Sequence, residues 1–156
     1  MSRSVVRPFL ISIAAFVLAS AAAWAIDHHA FNGTWRLIPT RSEFNGEPMM
    51  QSGTVTIGYR DRNIYISHNY VFDGKNVTVS YQTSLDGREN SSIRQGKAFK
   101  TKAKWEGDEL LVTSIQGPIT QVEHYRLNPD GTMMLAIERP DRPMQTLLFE
   151  RESSPR

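Results

Sequence analysis

The feature that most constrains this chain is an alternation of apolar and polar residues with a period of two, which dominates after residue 30. Successive side chains of a β-strand point to opposite faces, so this period predicts strands with one buried face. No convincing amphipathic helix lies between the runs that follow it. The predicted strands cover residues 33–38, 54–59, 63–72, 76–85, 97–105, 109–116, 119–127, 132–139 and 144–151.

The turns between these runs carry a signal of their own. Asp73-Gly74, Asp86-Gly87 and Asp130-Gly131 each separate two β-like runs. Asp-Gly tolerates the positive φ angles that tight hairpins need, so neighbouring runs should pair antiparallel. Many short strands joined by hairpins are typical of an up-and-down barrel or a sandwich. We expect an all-β, antiparallel up-and-down barrel of about eight to nine strands.

Alternation also assigns the faces of the strands. In the run 97–105, Phe99 and Trp105 share one face and Lys100 and Lys104 share the other. We interpret the lysines as a solvated face or a protected edge. By the same rule an apolar, aromatic-rich inner face includes Val55, Ile57, Tyr59, Ile64, Ile66, Tyr70, Phe72, Val77, Val79, Tyr81, Met133, Leu135 and Ile137.

The first 25 residues differ from the rest of the chain. Arg3 and Arg7 precede an apolar run over residues 8–25 that ends in Ala23-Trp24-Ala25. A basic start, an apolar centre and a small-x-small end predict a signal peptide over residues 1–25. The alternative is a retained membrane anchor, since the run is just long enough to span a bilayer. Contact with a membrane is expected only through such an uncleaved segment.

The rest of the chain would then comprise a flexible tail over residues 26–30 and one barrel domain over residues 31–152, in the periplasm or outside the cell. Removing Arg3 and Arg7 leaves 16 of the 18 basic residues against 16 acidic ones. A neutral domain does not favour a nucleic-acid partner. Cysteine is absent, which excludes thiol catalysis and cysteine metal sites.

A family resemblance begins at the first predicted strand. Gly33-Thr34-Trp35 matches the G-x-W signature that opens the first strand of lipocalins, and the continuation through Pro39, Ser42 and Phe44 resembles bacterial secreted lipocalin-like proteins. The resemblance implies a calycin-type barrel in which this Trp closes the floor and a late Arg packs across its ring. The candidates for that Arg are Arg151 and Arg139.

The histidines are the first candidates for chemistry. His68 shares the apolar face with Tyr70, where an imidazole can bind or titrate. For the strand around His124 two registers stay open. If Val122 faces inward, Arg126 does too and could clamp a carboxylate bidentately. If Tyr125 faces inward instead, Glu123 is the buried charge.

We expect an exported barrel that holds a small apolar or amphipathic molecule in its interior. No motif of a known enzyme class is found, so no catalytic residue, metal or cofactor is expected, and the oligomeric state is left open. Two alternatives remain: an interaction module with a filled core, and an enzyme on a calycin-type barrel. The candidate ligand-binding residues are Tyr59, His68, Tyr70, Phe72, Tyr81, Phe99, Trp105 and Arg126.

Overall fold

The computed structural model describes residues 27–94 and 96–153, so the signal peptide expected over residues 1–25 lies outside the described residues. The described chain forms one antiparallel sheet of ten strands that curls into a nearly closed barrel. The strands are β1 (Gly33–Leu37), β2 (Ser52–Arg60), β3 (Asn63–Phe72), β4 (Lys75–Ser84), β5 (Asn90–Arg94), β6 (Lys97–Glu106), β7 (Glu109–Gln116), β8 (Ile119–Leu127), β9 (Met133–Arg139) and β10 (Arg142–Arg151).

Every strand pairs with its sequence neighbour except β4 and β5, and the first strand pairs with the last. The barrel therefore has one break, between β4 and β5. Near the β4–β5 turn the side chain of Asn90 crosses this break and donates to the hydroxyls of Thr83 (2.8 Å) and Ser84 (3.1 Å). The predicted antiparallel up-and-down barrel is confirmed.

The expectation of eight to nine strands was one or two too low. All nine predicted runs form strands, and the tenth is the short β5. Its sequence, Asn-Ser-Ser-Ile-Arg, has no alternating apolar face, and Ile93 is 80% exposed. It is held by backbone pairing with β6 rather than by burial.

Of the three predicted Asp-Gly turns, Asp73-Gly74 and Asp130-Gly131 join strands that pair antiparallel, whereas Asp86-Gly87 lies between β4 and β5, which do not pair, so the hairpin expected there is not formed. Asp73 (φ 47°) and Gly74 (φ 73°) both adopt left-handed conformations between β3 and β4. Paired positive φ angles match the right-handed twist of two hairpin strands, which is why an Asp-Gly pair fits there. This turn holds β3 and β4 in register along their whole length.

One end of the barrel, which we call the closed end, is sealed around Trp35. This side chain is 1% exposed and donates from Nε1 to the carbonyl of Phe31 at 2.9 Å. The guanidinium of Arg151 lies 4.2 Å from the centre of the indole ring, and it also donates to the carbonyls of Ala30 and Asn32. The predicted packing of Arg151 on this Trp is confirmed, and Arg139 takes no part in it.

A 3-10 turn over His28–Phe31 covers the same end, where a flexible tail was expected for residues 26–30. The ring of His28 stacks on Trp105 with centroids 3.7 Å apart, and His29 packs beside Tyr59 at 4.8 Å. These contacts hold His28 and His29 against the closed end, although the alternating pattern assigned them no position in the barrel. The turn His28–Phe31 and a second 3-10 turn, Pro39–Arg41, make up the helical structure of the described residues. Neither turn is long enough to cross a membrane.

The alternation of apolar and polar residues along each strand predicts the buried core correctly over most of the barrel. Val55, Ile57, Ile64 and Ile66 are buried, as the pattern predicts. The lysines of β6 are exposed, and Lys100 and Lys104 form ion pairs with neighbouring glutamates at 2.8 Å.

Val77 and Val79 depart from this pattern, since they are 45% and 38% exposed. They occupy inner-face positions of β4, but that strand borders the break and lacks a ladder partner on one side. Inner-face position therefore does not ensure burial at this edge.

Candidate functional site

The barrel interior contains a cavity of about 250 Å³ on the side away from the closed end. It reaches the surface where Ile119 (59% exposed) and Val79 form part of its wall, and we call this the open end. For scale, an apolar cavity of about 150 Å³ holds one benzene, so this space suits roughly ten non-hydrogen atoms. Its walls are Met50, His68, Tyr70, Phe72, Val79, Tyr81, Phe99, Ser114, Gln116, Ile119, Gln121, Glu123, Ile137 and Arg139.

The strand order brings these residues together. The alternating inner positions of β3 supply His68, Tyr70 and Phe72, and β4 supplies Tyr81 beside Ile66 in the ladder. On the far side of the break, β6 supplies Phe99 with its ring centroid 6.2 Å from that of Tyr81. The aromatic wall therefore spans the break between β4 and β5.

The opposite wall is polar and is organised by Glu123 of β8, which is 3% exposed. Its Oε2 accepts from the hydroxyls of Tyr81 (3.0 Å) and Tyr125 (2.6 Å), and its Oε1 accepts from Nε2 of Gln121 (2.7 Å). A carboxylate that only accepts hydrogen bonds matches the ionised form. Hydrogen bonds of this kind compensate the burial of its charge.

His68 extends this network from the other side. Its Nε2 lies 2.7 Å from the hydroxyl of Tyr125 and 3.8 Å from Oε2 of Glu123. The single proton of Tyr125 goes to Glu123, so its oxygen accepts from Nε2 of His68, and the network assigns a proton to that nitrogen. We call His68, Tyr81, Gln121, Glu123 and Tyr125 the polar cluster.

Three tyrosines at this site are held in their neutral form. Burial, reinforced by the negative charge of Glu123, raises the pKa of Tyr70, Tyr81 and Tyr125 well above the ordinary value for a phenol. Both effects disfavour a phenolate. At neutral pH these groups therefore serve as hydrogen-bond donors and acceptors.

Tyr70 differs from the other two phenols. Its hydroxyl is buried and has no hydrogen-bond partner among the described residues. A buried hydroxyl without a partner carries a free-energy cost of about 1–3 kcal/mol. Its ring is held close to the backbone of Gly53, where a Cβ would lie 2.5 Å from the ring. Because Tyr70 lines the cavity, a molecule bound beside it could provide the missing partner of this hydroxyl.

A charged pair of residues borders the open end. Arg139 lines the cavity, donates from Nε to Oε1 of Gln121 at 2.9 Å, and has a guanidinium nitrogen 3.6 Å from Glu47. Glu47 also accepts from Arg142 at 2.7 Å. The charge of Arg139 is thus already engaged by neighbouring protein groups.

Of the eight candidate ligand-binding residues, five line the cavity: His68, Tyr70, Phe72, Tyr81 and Phe99. Tyr59 and Trp105 lie instead at the closed end, with their ring centroids 6.0 Å apart. Arg126 is exposed on the outer face, with a guanidinium nitrogen 3.7 Å from Glu109.

The orientation of β8 explains the displacement of Arg126. Tyr125 is fully buried and Glu123 nearly so, which resolves the two open registers in favour of an inward Glu123. His124 accordingly lies on the outer side, with Nδ1 3.2 Å from Glu109. An inward Arg126 would need a buried counter-charge, whereas Glu123 finds three donors within the barrel.

Sequence reasoning did not select Gln121, Glu123, Tyr125, Arg139 or Met50 as site residues. The alternation over 121–127 contained the signal for the first three, because an inward Tyr125 implies an inward Glu123 and Gln121. Met50 belongs to the loop between β1 and β2, where no periodic pattern applies. Within the described residues no group of three His, Asp or Glu side chains is arranged to hold a metal ion.

Comparison with solved structures shows that the fold of this chain is similar to that of several fatty-acid-binding proteins. A Schistosoma mansoni fatty-acid-binding protein in complex with arachidonic acid matches 80% of this chain and 97% of its own, with a TM-score of 0.59 and 18% identity. Caenorhabditis elegans lipid binding protein 8 matches 82% and 99%, with a TM-score of 0.60 and 15% identity.

A secretory abundant heat soluble protein from Ramazzottius varieornatus matches 79% of this chain and 96% of its own, with a TM-score of 0.62 and 12% identity. No family model and no curated protein matches the sequence. At these identities the similarity establishes the fold, and function has to be argued from the site.

Proposed function

We propose that this protein binds one small amphipathic molecule inside the barrel. The observation that carries the proposal is a cavity of about 250 Å³ lined by Tyr70, whose buried hydroxyl has no hydrogen-bond partner among the described residues. Ligand sites are typically apolar pockets with a few placed polar groups, and this cavity has Phe72, Phe99 and Ile137 beside the polar cluster. Fold neighbours that are described as lipid or fatty-acid binders support a ligand with an apolar body.

The architecture of the interior supports a cavity over a filled core. Near the closed end, Trp35, Phe31, Leu110 and Phe149 are essentially buried and fill the barrel. Toward the open end the inner positions instead carry Tyr, His, Gln and Glu, which need partners that apolar packing does not provide. The space beside them is where a ligand would lie.

Titration with 2-naphthol tests this proposal. The molecule is fluorescent and its 11 non-hydrogen atoms are close to the roughly ten that the cavity can hold. We expect a saturable 1:1 fluorescence change that is abolished by Ser114→Phe, which fills the cavity. Thr113→Phe is the matched control, because Thr113 is adjacent on β7 and pairs with the outward Lys102. Absence of saturable binding, or equal loss in both variants, would overturn the proposal.

An enzymatic role is the second candidate, and the polar cluster around His68 is the observation that favours it. The cluster combines an imidazole, a carboxylate and phenols, which are common acid–base groups. However, its phenols are held neutral and its hydrogen bonds close on one another, so binding accounts for it with fewer assumptions. Mass spectrometry of 2-naphthyl acetate incubated with the protein and with His68→Gln tests for turnover. His68-dependent production of 2-naphthol would favour the enzyme.

We also propose that the chain is exported to the periplasm or beyond as a precursor. The support is the sequence of residues 1–25, with Arg3, Arg7 and the Ala23-Trp24-Ala25 end. N-terminal sequencing of the protein recovered from envelope and culture fractions should give a start at or near Ile26. Recovery of the intact chain from the membrane fraction would favour the retained anchor.

A further inference from the structure

We infer that the cavity selects molecules whose polar end donates a hydrogen bond, such as a hydroxyl or a protonated amine, and discriminates against carboxylates. This inference rests on the proposed ligand binding and specifies its chemistry. It is carried by the acceptor capacity of Glu123, by the distribution of charge on the cavity wall and by the hydroxyl of Tyr70.

Glu123 has acceptor capacity beyond the hydrogen bonds that it receives within the polar cluster. An ionised carboxylate offers about four acceptor positions on its two oxygens. The polar cluster fills three of them, through Tyr81, Tyr125 and Gln121. Glu123 also lines the cavity, so its remaining capacity is available to a donor on a bound molecule.

The charge on the cavity wall also disfavours a carboxylate. Among the residues that line the cavity, Arg139 is the one with a fixed positive charge, and it lies at the open end with its guanidinium engaged by Gln121 and Glu47. A carboxylate placed against the polar cluster would therefore face the buried charge of Glu123, and the His68 imidazole beside it already directs its Nε2 proton at the hydroxyl of Tyr125. Like charges in a weakly solvated site repel strongly. A protonated amine at the same position would be attracted.

Tyr70 adds a hydrogen-bond donor to the site. Its buried hydroxyl has no partner among the described residues and remains protonated at neutral pH, so it can donate to an oxygen of the ligand. A ligand hydroxyl both donates and accepts. It can therefore donate to Glu123 and accept from Tyr70, which would satisfy both protein groups at once.

The size of the cavity restricts the class further. Space for roughly ten non-hydrogen atoms accommodates a bicyclic ring or a medium-length alkyl chain, while a longer molecule would protrude through the open end. Its wall of Phe72, Phe99 and Tyr81 favours a ring or chain that packs on aromatic faces. The inferred ligand is a compact aromatic or aliphatic alcohol or amine.

Calorimetric titration of the full chain at pH 7 tests this inference with three molecules that share one ring system: 2-naphthol, 2-naphthylmethylamine in its protonated form, and 2-naphthoate. We expect the alcohol and the ammonium to bind at least tenfold more tightly than the carboxylate. Glu123→Gln should weaken binding of the ammonium about tenfold and strengthen binding of the carboxylate. Glu106→Gln, which removes the same charge from the exposed end of β6, is the control and should change neither.

Tyr70→Phe provides a variant that leaves the polar cluster intact, should Glu123→Gln fail to fold. It should weaken 2-naphthol about fivefold to tenfold and leave unsubstituted naphthalene unchanged. Binding of 2-naphthoate as tight as that of 2-naphthol to the unmodified protein would overturn the selectivity while leaving ligand binding in place. If Arg139→Gln then abolished 2-naphthoate binding, the carboxylate would be assigned to the open end. Failure of all three molecules to bind saturably would overturn ligand binding itself.

Discussion

Replacement of Trp35 by Ala should cost this barrel a large part of its stability. The side chain is 1% exposed, and its Nε1 donates to the carbonyl of Phe31 at 2.9 Å. Truncation of a buried Trp typically costs about 3–5 kcal/mol, through lost transfer free energy and the cavity left behind. For a domain of this size each kcal/mol lowers the melting temperature by roughly 3–5 °C, so we expect a decrease of about 10–25 °C.

The guanidinium of Arg151, which stacks on Trp35, should contribute separately to the stability of the closed end. It lies 4.2 Å from the centre of the Trp35 ring. A double-mutant cycle that combines Trp35→Leu with Arg151→Met should give a coupling free energy of about 0.5–2 kcal/mol. A coupling within error of zero would show that Arg151 acts through its bonds to the Ala30 and Asn32 carbonyls alone.

Circular dichroism of the β-sheet signal during urea and thermal unfolding measures these changes. Trp105→Ala is the matched control, because this Trp lies at the same end of the barrel but is only partly buried, and it stacks on His28. We expect it to cost less than half as much as Trp35→Ala. A loss below about 1 kcal/mol for Trp35→Ala, well under the usual range for a buried Trp, would refute the assignment of Trp35 as the closure of the barrel.

Three further predictions concern the phenols and two glycines. Above about pH 10 the unfolded chain loses phenolic protons that Tyr70, Tyr81 and Tyr125 retain in the folded state. The free energy of unfolding should therefore fall as pH rises, by about 1.4 kcal/mol per pH unit for each of these three tyrosines. Urea midpoints between pH 8 and 11 measure this fall, and Tyr70→Phe should remove about a third of its slope against pH. Gly33→Ala should lower the free energy of unfolding by about 1–3 kcal/mol, because φ is +128° and the new Cβ would lie 2.8 Å from Arg151. Chemical unfolding measures this loss. Gly58→Ala is the control and should lose less, because its new Cβ would make an ordinary contact at 3.8 Å. Gly53→Ala should weaken 2-naphthol binding measurably by titration, since its Cβ would lie 2.5 Å from the Tyr70 ring and displace it.

Most of the strands and turns could be predicted from the sequence because each depends on neighbours close in the chain, and the Asp86-Gly87 turn failed as a hairpin because the break of the barrel lies there. Alternation identified nine of the ten strands among the described residues, and Asp73-Gly74 predicted a turn whose two residues have positive φ. The motif around Trp35 also indicated a barrel floor with an Arg across the ring, which the contact with Arg151 confirms. The one strand missed, β5, has no buried face and so leaves no pattern to read.

The site depended on contacts between residues far apart in the chain. Alternation offered two registers for β8, and the choice between an inward Arg126 and an inward Glu123 rests on Tyr81, which is 42 residues away in sequence. A buried carboxylate is stable where donors converge on it, and the curvature of the sheet brings those donors together. The same curvature separates Tyr59 and Trp105 from the cavity, although they share its apolar pattern. Local sequence thus determined which residues face inward on most strands, while closure of the barrel decided at which height they lie and which polar groups meet.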